Sequence, residues 1–471
     1  MSIRPLQLRD YQAKGIADIR GAIAGGSRAP VFVLPTGGGK SVILRAIAEG
    51  AAAKGRRIVA LAHRAELVSQ LADRHFAHLA PGLIQAGKPE TPGAPVQVAS
   101  VQTLARRLDR VQEPNILLVD EAHHAPAGQW SAIRQAWPGA ICIGVTATPC
   151  RLDGRGLGES FDALVSGPTA AELTAAGHLV PADVYAPSVP DLAGVRMRGG
   201  DYSREDLERA LEKSNVVGDA VRSYRQLAPG QGTAIAFCAS VAHARATAAA
   251  FNQAGIPAGV VVGSGRRDER DETLARFAAG EIRVLCSVDV VSEGFDLPEG
   301  SVPIEAAILL RPTKSLGLYL QQVGRALRPG KRRAIILDHA GNALRHGLPS
   351  EARAWSLDGG APRKTDGETA TDGTDLSVRQ CLECYAIHEA APVCPICGAE
   401  HPREERVPKA RAGELRKIEE AEARKLAEVR RSEESGEKTL EDWLKIARER
   451  GYKPGWAYQR HKLRQSRGRA A

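Results

Sequence analysis

A glycine-rich loop near the N-terminus has the residue types needed to hold a polyphosphate. Residues Pro35-Thr36-Gly37-Gly38-Gly39-Lys40-Ser41 follow an apolar run and precede a helical pattern. Glycines let backbone N–H groups approach phosphate oxygens, and the helix N-terminus adds a favourable dipole. In such a loop Lys40 reaches the β- and γ-phosphates and Ser41 holds Mg²⁺. The strict phosphate-loop pattern, G-x-x-x-x-G-K-S/T, has its first glycine at the position that Leu34 occupies here. The loop must therefore form without that glycine.

Two adjacent carboxylates follow another apolar run. Residues 115–119, Asn-Ile-Leu-Leu-Val, lead into Asp120-Glu121-Ala122-His123. The end of a strand places Asp120 where it can hold the water shell of Mg²⁺, and Glu121 where it can orient or deprotonate the attacking water. Alone, such a pair is typical of a solvated loop. Together with the phosphate loop, it predicts ATP hydrolysis.

The elements that must position these groups are parallel strands alternating with helices. Apolar, β-branched runs recur between helical patterns, which is typical of parallel α/β layers. Ten strands are predicted, at 30–34, 57–62, 96–99, 116–119, 140–146, 234–238, 259–262, 284–287, 305–310 and 333–337. They fall into two sets of five, so we expect two parallel-sheet lobes with a cleft between them.

The composition is that of a globular protein with several domains. The 471 residues include 64 Lys and Arg against 55 Asp and Glu, and 43% are apolar, which is close to the average for soluble proteins. The length predicts two to four domains. No apolar run is long enough to cross a membrane, and the N-terminus lacks a signal-peptide core, so we expect a cytoplasmic location.

The basic charge is concentrated in a C-terminal tail. Residues 403–471 hold 20 Lys and Arg against 13 Asp and Glu, which leaves 44 against 42 for residues 1–402. Residues 450–471 contain seven basic and no acidic residues, with three aromatic residues among them. Such side chains suit phosphates and base faces, so we predict nucleic-acid contact, with a solubilising terminus as the alternative. Thr439 and Asp442 resemble a capping box that opens a short helix.

Four cysteines have the spacing of a metal site. Two Cys-x-x-Cys pairs are separated by nine residues, and their members are Cys381, Cys384, Cys394 and Cys397. Each pair presents two sulfurs to one ion, so the four predict a closed structural Zn²⁺ site in a small module. Disulfides are the alternative, which a cytoplasmic location disfavours. His388 and His401 are alternative ligands that a set of four cysteines does not need.

Four motifs, in this order along the chain, resemble those of superfamily 2 helicases of the DEAD/DEAH-box class. They are the phosphate loop (motif I), residues 120–123 (motif II), Thr146-Ala147-Thr148-Pro149 (motif III) and residues 321–328, Gln-Gln-Val-Gly-Arg-Ala-Leu-Arg (motif VI). The resemblance covers residues 6–342. It implies two RecA-like lobes, with ATP and Mg²⁺ in the cleft and nucleic acid lying across both lobes.

The resemblance also implies roles for single residues in the cleft. Gln12 corresponds to an adenine contact, although an ordinary polar residue at a helix start is the alternative. Gly294 permits a tight approach, and Asp296 would contact the ribose or the opposite lobe. The residues that would couple the nucleotide to the nucleic acid are His123, Thr146 and Thr148.

Two arginines of motif VI are predicted to act on the γ-phosphate. Arg325 and Arg328 are three residues apart, so on a helix they share one face, and Gln321 lies one turn earlier. If that face closes over the nucleotide, one or both act as arginine fingers, which accelerate related phosphoryl transfers by about 10³–10⁵. The alternative is a basic helix in solvent.

Basic, hydroxyl and amide side chains are implied as nucleic-acid contacts. They are His63, Arg64, Ser100, Gln102, Thr103, Ser240 and Ser292. Such groups bind phosphate and sugar oxygens, so we expect little sequence specificity. For each residue singly, an ordinary loop surface is the alternative.

The C-terminal motifs narrow the resemblance. Residues 337–342 (Leu-Asp-His-Ala-Gly-Asn), the four cysteines and residues 451–457 (Gly-Tyr-Lys-Pro-Gly-Trp-Ala) resemble the RadD-like bacterial DNA-repair ATPases and related phage helicases. This resemblance implies DNA as the polymer and a setting in repair or recombination. It also raises single-strand binding protein as a candidate partner.

The sequence therefore predicts an α/β protein that acts as an ATP-dependent DNA helicase or translocase. Its expected segments are lobe 1 (1–188), lobe 2 (202–355), a flexible linker (356–377), a zinc module (378–402) and a basic helical tail (403–471). Three alternatives stay open: an RNA helicase, the motor of a restriction-type complex, and a zinc-dependent adaptor with an inactive ATPase. We find no convincing nuclease motif, and the complete set of phosphate-loop, acidic and arginine residues argues against the adaptor.

Overall fold

Two β-sheets, each with helices packed around it, form the body of the protein. The computed structural model describes residues 6–91, 93–124, 127–151, 154–186, 190–212, 216–228, 232–263, 266–290, 300–358, 363–364, 378–401, 439–449, 457–458 and 461. Residues 1–403 form one unit, which contains both sheets, and residues 404–471 form another. Within these described ranges, no helix is long and apolar enough to span a bilayer.

The first sheet is entirely parallel. Its strands are β1 (Pro30–Val33), β2 (Ile58–Ala62), β3 (Gly82–Ile84), β4 (Val96–Ser100), β5 (Ile116–Val119), β6 (Ile141–Thr146) and β7 (Ala163–Ser166). They lie in the order β3-β4-β2-β5-β6-β1-β7. Strands such as β1 (PVFV) are apolar at every position because helices cover both faces of the sheet.

The helices of the first lobe connect these strands. They are α1 (Asp10–Ala24), α2 (Lys40–Ala52), α3 (Ala65–Gln70), α4 (Val101–Leu104), α5 (Ala127–Ala136) and α6 (Ala170–Ala175). Shorter helical turns lie at Leu71–His75, Ala77–Leu79, Leu108–Arg110 and Ala122–His124. Because the strands are parallel, their C-terminal ends share one edge, which therefore gathers the loops that carry the motifs.

The second sheet has eight strands, in the order β12-β13-β11-β14-β15-β8-β19-β18. They are β8 (Ala182–Tyr185), β11 (Ala234–Phe237), β12 (Ala258–Val262), β13 (Val284–Val288), β14 (Ala306–Leu309), β15 (Ala334–Asp338), β18 (Val378–Gln380) and β19 (Ala386–Glu389). The first six are parallel, whereas β19 and β18 join the edge as an antiparallel hairpin.

The remaining elements belong to the second lobe or follow it. The helices are α7 (Arg204–Glu212), α8 (Val216–Leu227), α9 (Val241–Gln253), α10 (Arg267–Ala278), α11 (Leu316–Gly324) and α12 (Asn342–His346). Two small hairpins pair β9 (Met197–Arg198) with β10 (Asp201–Tyr202), and β16 (Arg353–Ala354) with β17 (Arg363–Lys364). All ten predicted strands are present, with ends that differ by at most one residue from prediction.

Strand pairing moves two of the expected domain boundaries. The strand β8 lies before residue 188, in the segment expected to belong to lobe 1, yet it pairs with β15 of the second sheet, Val184 opposite Ile336. In the same way, β19 of the expected zinc module pairs with β8, Ile387 opposite Val184. The second lobe therefore begins before β8 and includes the cysteine-rich hairpin, because these strands extend the edge of the second sheet.

The expected linker is ordered where it begins. The carbonyl of Leu357 accepts a hydrogen bond of 2.9 Å from the N–H of Gly158 in the first lobe, and the Leu357 side chain packs against the apolar core there. Arg363–Lys364 pairs with Arg353–Ala354. The rest of the expected linker lies outside the described residues.

The described part of the C-terminal unit contains the predicted short helix, α13 (Leu440–Glu449). A capping box opens it: the Asp442 carboxylate accepts from the Thr439 N–H and Oγ1, both at 2.8 Å. Trp443 and Ala447 are buried together with Ala457. The longer helix expected at 412–435 lies outside the described residues.

Candidate nucleotide site and nucleic-acid face

The phosphate loop connects the end of β1 to the start of α2. Gly37 and Gly39 have φ of 87° and 86°, a region in which residues other than glycine are strained. A Cβ on Gly38 would lie 2.7 Å from Leu34 Cγ. The loop therefore forms without the missing first glycine because Leu34, fully buried in the core, packs beneath it.

Two side chains of α1 hold the phosphate loop from the other side. The Tyr11 hydroxyl donates to the carbonyl of Gly38 at 2.8 Å, and Gln12 Nε2 donates to the same carbonyl at 3.3 Å. Gln12 Oε1 accepts from the Arg9 N–H. The predicted adenine contact is thus a buried residue whose amide supports the loop, and a role at adenine stays a prediction.

The acidic pair and the lysine come together beneath the loop. Asp120 and Glu121 are buried directly after β5, and Lys40 Nζ lies 3.8 Å from Glu121 Oε1. Glu121 has a φ of 47°, a conformation that costs of order 1–3 kcal/mol and is concentrated at functional sites. Its N–H donates to Asp120 Oδ1 at 3.0 Å, which fixes one carboxylate relative to the other.

The residues of this cradle fit a Mg²⁺–polyphosphate. Thr36 Oγ1 is buried and has no hydrogen-bond partner within the described part of the chain, and such a group is costly unless a ligand or water satisfies it. Side chains are kept out of the cradle, since a Cβ on Gly39 would lie 2.5 Å from Gln12 Nε2. Asp120 and Ser41, the second residue of α2, supply the oxygen ligands that Mg²⁺ prefers.

Motif III and the histidine of motif II form one hydrogen-bonded group. His123 Nδ1 lies 2.9 Å from Thr146 Oγ1 and 3.6 Å from Glu121 Oε2. Thr146 Oγ1 donates to the Thr148 carbonyl at 3.0 Å and accepts from the Thr148 N–H at 3.1 Å. The three predicted coupling residues therefore contact one another in series.

The end of α11 in the second lobe lies directly on the phosphate loop. A Cβ on Gly324 would lie only 2.4 Å from Thr36 Cβ, and a Cβ on Gly37 would lie 3.6 Å from Arg328 Cγ. Gly317, in the first turn of α11, is equally close to motif III, because its Cβ would lie 2.9 Å from Thr148 Oγ1. Motif VI is thus brought to the nucleotide side of the cleft.

The expectation that Arg325 and Arg328 share a helix face is wrong. The helix α11 ends at Gly324, and both arginines follow it in a turn. Pro329 disfavours a helical conformation at Arg328, the residue before it, so a helix could not have carried both arginines in any case. Arg325 is buried and Arg328 is half-buried beside the loop, so a turn rather than a helix presents them.

Five of the predicted nucleic-acid contacts cluster where β2 and β4 end. Ser100 caps α4 by accepting from the Thr103 N–H at 3.2 Å, and Gln102 Nε2 donates to the His63 carbonyl at 3.1 Å. Arg64 lies beside His63, with Nε 3.2 Å from His63 Nε2. The strand ends therefore place these polar groups on one surface, which continues to the second lobe through a hydrogen bond from Arg64 Nη1 to the carbonyl of Asp289.

Ser240 occupies the corresponding position in the second lobe. It follows β11 and caps α9, accepting from the His243 N–H at 3.1 Å, and its hydroxyl donates to Glu208. Ser292, Gly294 and Asp296 lie outside the described residues.

The four cysteines converge. Their sulfur atoms all lie within 4.8 Å of one another, with 3.6 Å between Cys381 and Cys397 and 3.7 Å between Cys384 and Cys394. A tetrahedron with Zn–S bonds of about 2.3 Å has edges of about 3.8 Å, so the spacing fits Zn²⁺. The backbone N–H of Cys384 helps to lower the pKa of Cys381 to about 7, whereas burial raises the pKa of Cys384 to about 12, so the sulfur spacing and not the thiol pKa values supports the site.

Several contacting residues were not identified from the sequence. No role was predicted for Tyr11, the neighbour of Gln12, and Gly317 and Gly324 give no local signal of a partner in the other lobe. His124 was assigned no role, yet its ring lies 4.0 Å from that of His63 and 4.1 Å from that of His123. Only the doubled histidine after the acidic pair could have drawn attention to it.

Two sequence families match the chain. The family described as "Type III restriction enzyme, res subunit" matches residues 5–151, and "Helicase conserved C-terminal domain" matches residues 219–330. These ranges contain motifs I to III and motif VI, respectively.

Relatives and a solved structure agree with these families. A 51.5 kDa protein of a Lactococcus phage (isolate 7-9) is 33% identical over 381 residues, 80% of this chain and 79% of that protein. The putative ATP-dependent helicase IRC3 of Saccharomyces cerevisiae is 29% identical over 68% of this chain and 49% of its own. The structure of the ATP-dependent Type ISP restriction-modification enzyme LlaBIII bound to DNA superimposes with a TM-score of 0.53 at 18% identity, over 71% of this chain and 28% of its own. At that identity, the likeness shows the fold.

The two RecA-like lobes and the motifs between them define a nucleic-acid-dependent ATP hydrolase of the helicase type. The chain belongs to the superfamily 2 helicases. The family uses ATP and Mg²⁺ and acts on nucleic acid.

Proposed function

We propose that this protein is a DNA-stimulated ATPase that moves along DNA or remodels it. The contact of Gly324 with Thr36 carries the proposal, because it makes closure of the second lobe sensitive to what occupies the phosphate loop. Binding and loss of the γ-phosphate would then alternate the closed and open arrangements of the lobes. Nucleic acid that is bound across both lobes would then be moved relative to one of them.

Each residue of the cradle has a role in this proposal. Lys40 and the loop amides hold the phosphates, Ser41 and Asp120 hold Mg²⁺, and Glu121 activates the attacking water. The arginines of motif VI, Arg325 and Arg328, stabilise charge on the γ-phosphate once the lobes close, as arginine fingers do.

The remaining roles concern recognition and coupling. Gln12 keeps its proposed adenine role, and Gly294 and Asp296 their proposed place at the ribose. Gln321, His123, Thr146 and Thr148 relay the state of the nucleotide to the residues at the strand ends, which are His63, Arg64, Ser100, Gln102, Thr103, Ser240 and Ser292.

The choice of DNA rests on two observations. The restriction-subunit family covers the first lobe, and LlaBIII is described as bound to DNA. The side chains at the strand ends recognise phosphate and sugar rather than bases, so an RNA helicase remains the alternative. A setting in DNA repair, single-strand binding protein as a partner and a cytoplasmic location stay predictions of the sequence.

Zinc and the basic tail complete the proposal. We assign Zn²⁺ to Cys381, Cys384, Cys394 and Cys397 because their sulfur spacing matches a tetrahedral ion. The tail at 403–471 increases the affinity for DNA through its net positive charge. Deleting it should lower DNA affinity and flatten the dependence of that affinity on salt, since fewer counterions are released; an unchanged slope would remove the tail from the proposal.

Steady-state ATP hydrolysis with a panel of polymers tests the function. The full chain is assayed alone and with single-stranded DNA, duplex DNA, forked DNA and RNA at one low salt concentration. Strong stimulation by DNA and little by RNA is expected. Stimulation by RNA would move the protein to RNA metabolism, and no hydrolysis with any polymer would favour the adaptor or a missing subunit.

A motor of a restriction-type complex is the second candidate, favoured by the same family match. This candidate would need a nuclease partner, since no convincing nuclease motif is found in the sequence. Co-purification with a nuclease, and ATP-dependent DNA cleavage by the pair, would support this candidate over a motor that acts alone.

A further inference from the structure

A basic pocket between the two lobes adds a contact to the proposed function, on which this inference rests. Its lining includes four arginines, Arg64, Arg198, Arg204 and Arg311. They come from different segments of the chain, and only Arg64 is among the nucleic-acid contacts predicted from the sequence. Asp201, Glu205 and Asp289 also line the pocket. The positive charge that a ligand meets therefore depends on which arginines these acids already pair with.

A short hairpin presents Arg198. The strands β9 and β10 pair antiparallel across Gly199 and Gly200, whose φ are 61° and 89°. Positive φ at both central residues is what a type I′ turn requires, and the backbone twist of that turn matches the twist of the two strands it joins. Arg198 directly precedes the turn and is exposed.

The hairpin is fixed to the second lobe by its other strand. Asp201 accepts from Thr313 Oγ1 and from the Lys314 N–H, each at 2.8 Å. The cations of Lys314 and Arg345 each lie 5.5 Å from the centre of the Tyr202 ring. A hairpin held in this way positions Arg198 before any ligand binds, which lowers the entropic cost of binding.

An internal carboxylate already holds part of the pocket together. Asp289 Oδ2 lies 2.6 Å from Arg204 Nη2, and Oδ1 lies 2.6 Å from Arg311 Nη1. The Asp289 carbonyl accepts from Arg64 of the first lobe. Asp289 has a φ of 57°, which is uncommon for a residue other than glycine. Guanidinium groups thus converge on one anion at the junction of the lobes.

We propose that this pocket binds a backbone phosphate of the nucleic acid, with Arg198 and Arg204 as donors and Asp289 as the internal anion that the phosphate displaces from Arg204. The Arg204 side chain is 66% exposed even while it contacts Asp289. Its guanidinium therefore keeps donors directed to solvent, in the geometry that phosphate accepts. Arg311 is only 13% exposed and also lies 3.5 Å from Asp201, so it positions Asp289 rather than the phosphate.

Binding of a labelled oligothymidine strand to the full chain, measured at several salt concentrations, tests the pocket. Replacing Arg198 and Arg204 together with alanine should weaken binding by about tenfold or more. The slope of log affinity against log salt should decrease by about 0.7 for each arginine–phosphate interaction that the substitutions remove. Arg276→Ala is the matched control, because Arg276 is an exposed arginine paired with Glu281 at the far end of α10 and should bind like wild type.

Asp289→Asn tests the competition separately. Removing the negative charge releases Arg204 and should tighten binding at low salt. Weaker or unchanged binding by this variant would overturn the role of Asp289 as an internal anion. Thermal unfolding checks that each variant folds, and the single substitution Arg198→Gln at the exposed turn repeats the first test with the least disturbance.

The outcomes separate this pocket from the broader function. Wild-type binding with an unchanged salt slope in the double variant overturns the pocket alone. A wild-type chain that binds neither DNA nor RNA overturns both the pocket and the proposed function.

Discussion

Gln321 of the second lobe meets His123 of the first, with 3.2 Å between the two Nε2 atoms. The Gln321 amide nitrogen can only donate, so His123 Nε2 accepts and the ring carries its proton on Nδ1. Nδ1 then donates to Thr146 Oγ1 at 2.9 Å, and that hydroxyl donates to the Thr148 carbonyl at 3.0 Å. One directed series of hydrogen bonds therefore runs from motif VI to motif III, through a residue beside Glu121.

Replacing Glu121 with glutamine should remove ATP turnover and keep the fold. Glutamine has the same shape but cannot take a proton from water, so we expect turnover to fall about 10²–10⁴-fold while a fluorescent ATP analogue still binds. Lys40→Ala should lose both binding and turnover. The matched control is Asp18→Asn, which breaks only the exposed ion pair with Lys14 and should be silent. Near-normal turnover in Glu121→Gln would refute the assignment.

Adding one methyl group at Gly324 should hinder closure of the lobes. Its Cβ would lie 2.4 Å from Thr36 Cβ, so the end of α11 must move away from the phosphate loop. We expect turnover to fall at least about tenfold, because even a 1 Å misplacement of reacting groups is costly. Gly21→Ala in α1 is the control: beyond the neighbouring backbone of its own helix, no atom lies within 4 Å of the added Cβ, and alanine should add about 0.5–1 kcal/mol of stability. Wild-type turnover in Gly324→Ala would mean that this contact is not part of the working cycle.

The sequence predicted what local patterns encode. Apolar runs identified ten of the fifteen strands of the two sheets, and they missed β3, β7, β8, β18 and β19. Motif spacing identified Lys40 and Glu121, which the fold brings within 3.8 Å. Neither β8 nor its partners were predicted from the sequence, because a strand's neighbours depend on the packing of the whole sheet. The hairpin β9–β10 was missed because strands of two residues are too short to show a period of two.

Close backbone approaches were equally hidden in the sequence. Gly324 is one of many glycines, and its partner Thr36 is almost 300 residues away in sequence. The motif VI pattern suggested one helix carrying both Arg325 and Arg328, whereas α11 ends at Gly324.

Zinc removal should destabilise the second lobe itself and not a separate module. The strand β19 pairs with β8, and Cys381 and Cys394 are buried in the apolar core of that lobe. We expect elemental analysis to find about one zinc per chain, and chelation to lower the unfolding midpoint by at least about 5 °C, or about 2 kcal/mol for a domain of this size. Cys397 is exposed, so Cys397→Ser should cost stability only by losing the metal. Cys150→Ser is the control outside the cluster; a metal-free wild-type chain, or an unaltered midpoint in Cys397→Ser, would contradict the zinc site.

Acidification should destabilise the second lobe through its buried histidines. Burial lowers the pKa of His346 and of His339 to about 4, against about 6.5 in an unfolded chain. The stability that these neutral rings contribute is present above about pH 6.5 and is lost as the pH falls towards 4. Burial raises the pKa of Asp338 to about 6, which acts in the opposite direction below that pH and offsets part of the loss.

The substitution His346→Phe measures how much His346 contributes to the pH dependence of stability. Phenylalanine keeps the stack on Tyr319, whose ring centre lies 5.5 Å away, but it cannot titrate. The unfolding free energy of wild type should fall between pH 7 and pH 5, by at most about 1.4 kcal/mol per pH unit for each histidine. The variant should show a shallower fall. Equal pH dependence in both proteins would exclude His346 as a source.

His124 should transmit nucleic-acid binding to the nucleotide site, because its ring lies between those of His63 and His123, at 4.0 and 4.1 Å. His63 belongs to the surface at the strand ends, and His123 contacts Gln321. Removing the middle ring in His124→Ala should lower the ratio of DNA-stimulated to DNA-free ATP turnover by about fivefold or more, the size of a coupling energy of about 1 kcal/mol or above. His124→Phe, which preserves a flat ring, should recover much of the ratio if packing carries the coupling. His78→Ala, in a different part of the same lobe beside Glu49, controls for the loss of any histidine. An unchanged ratio in His124→Ala would disprove the coupling, whereas failure of phenylalanine alone to restore it would assign the effect to the imidazole nitrogens.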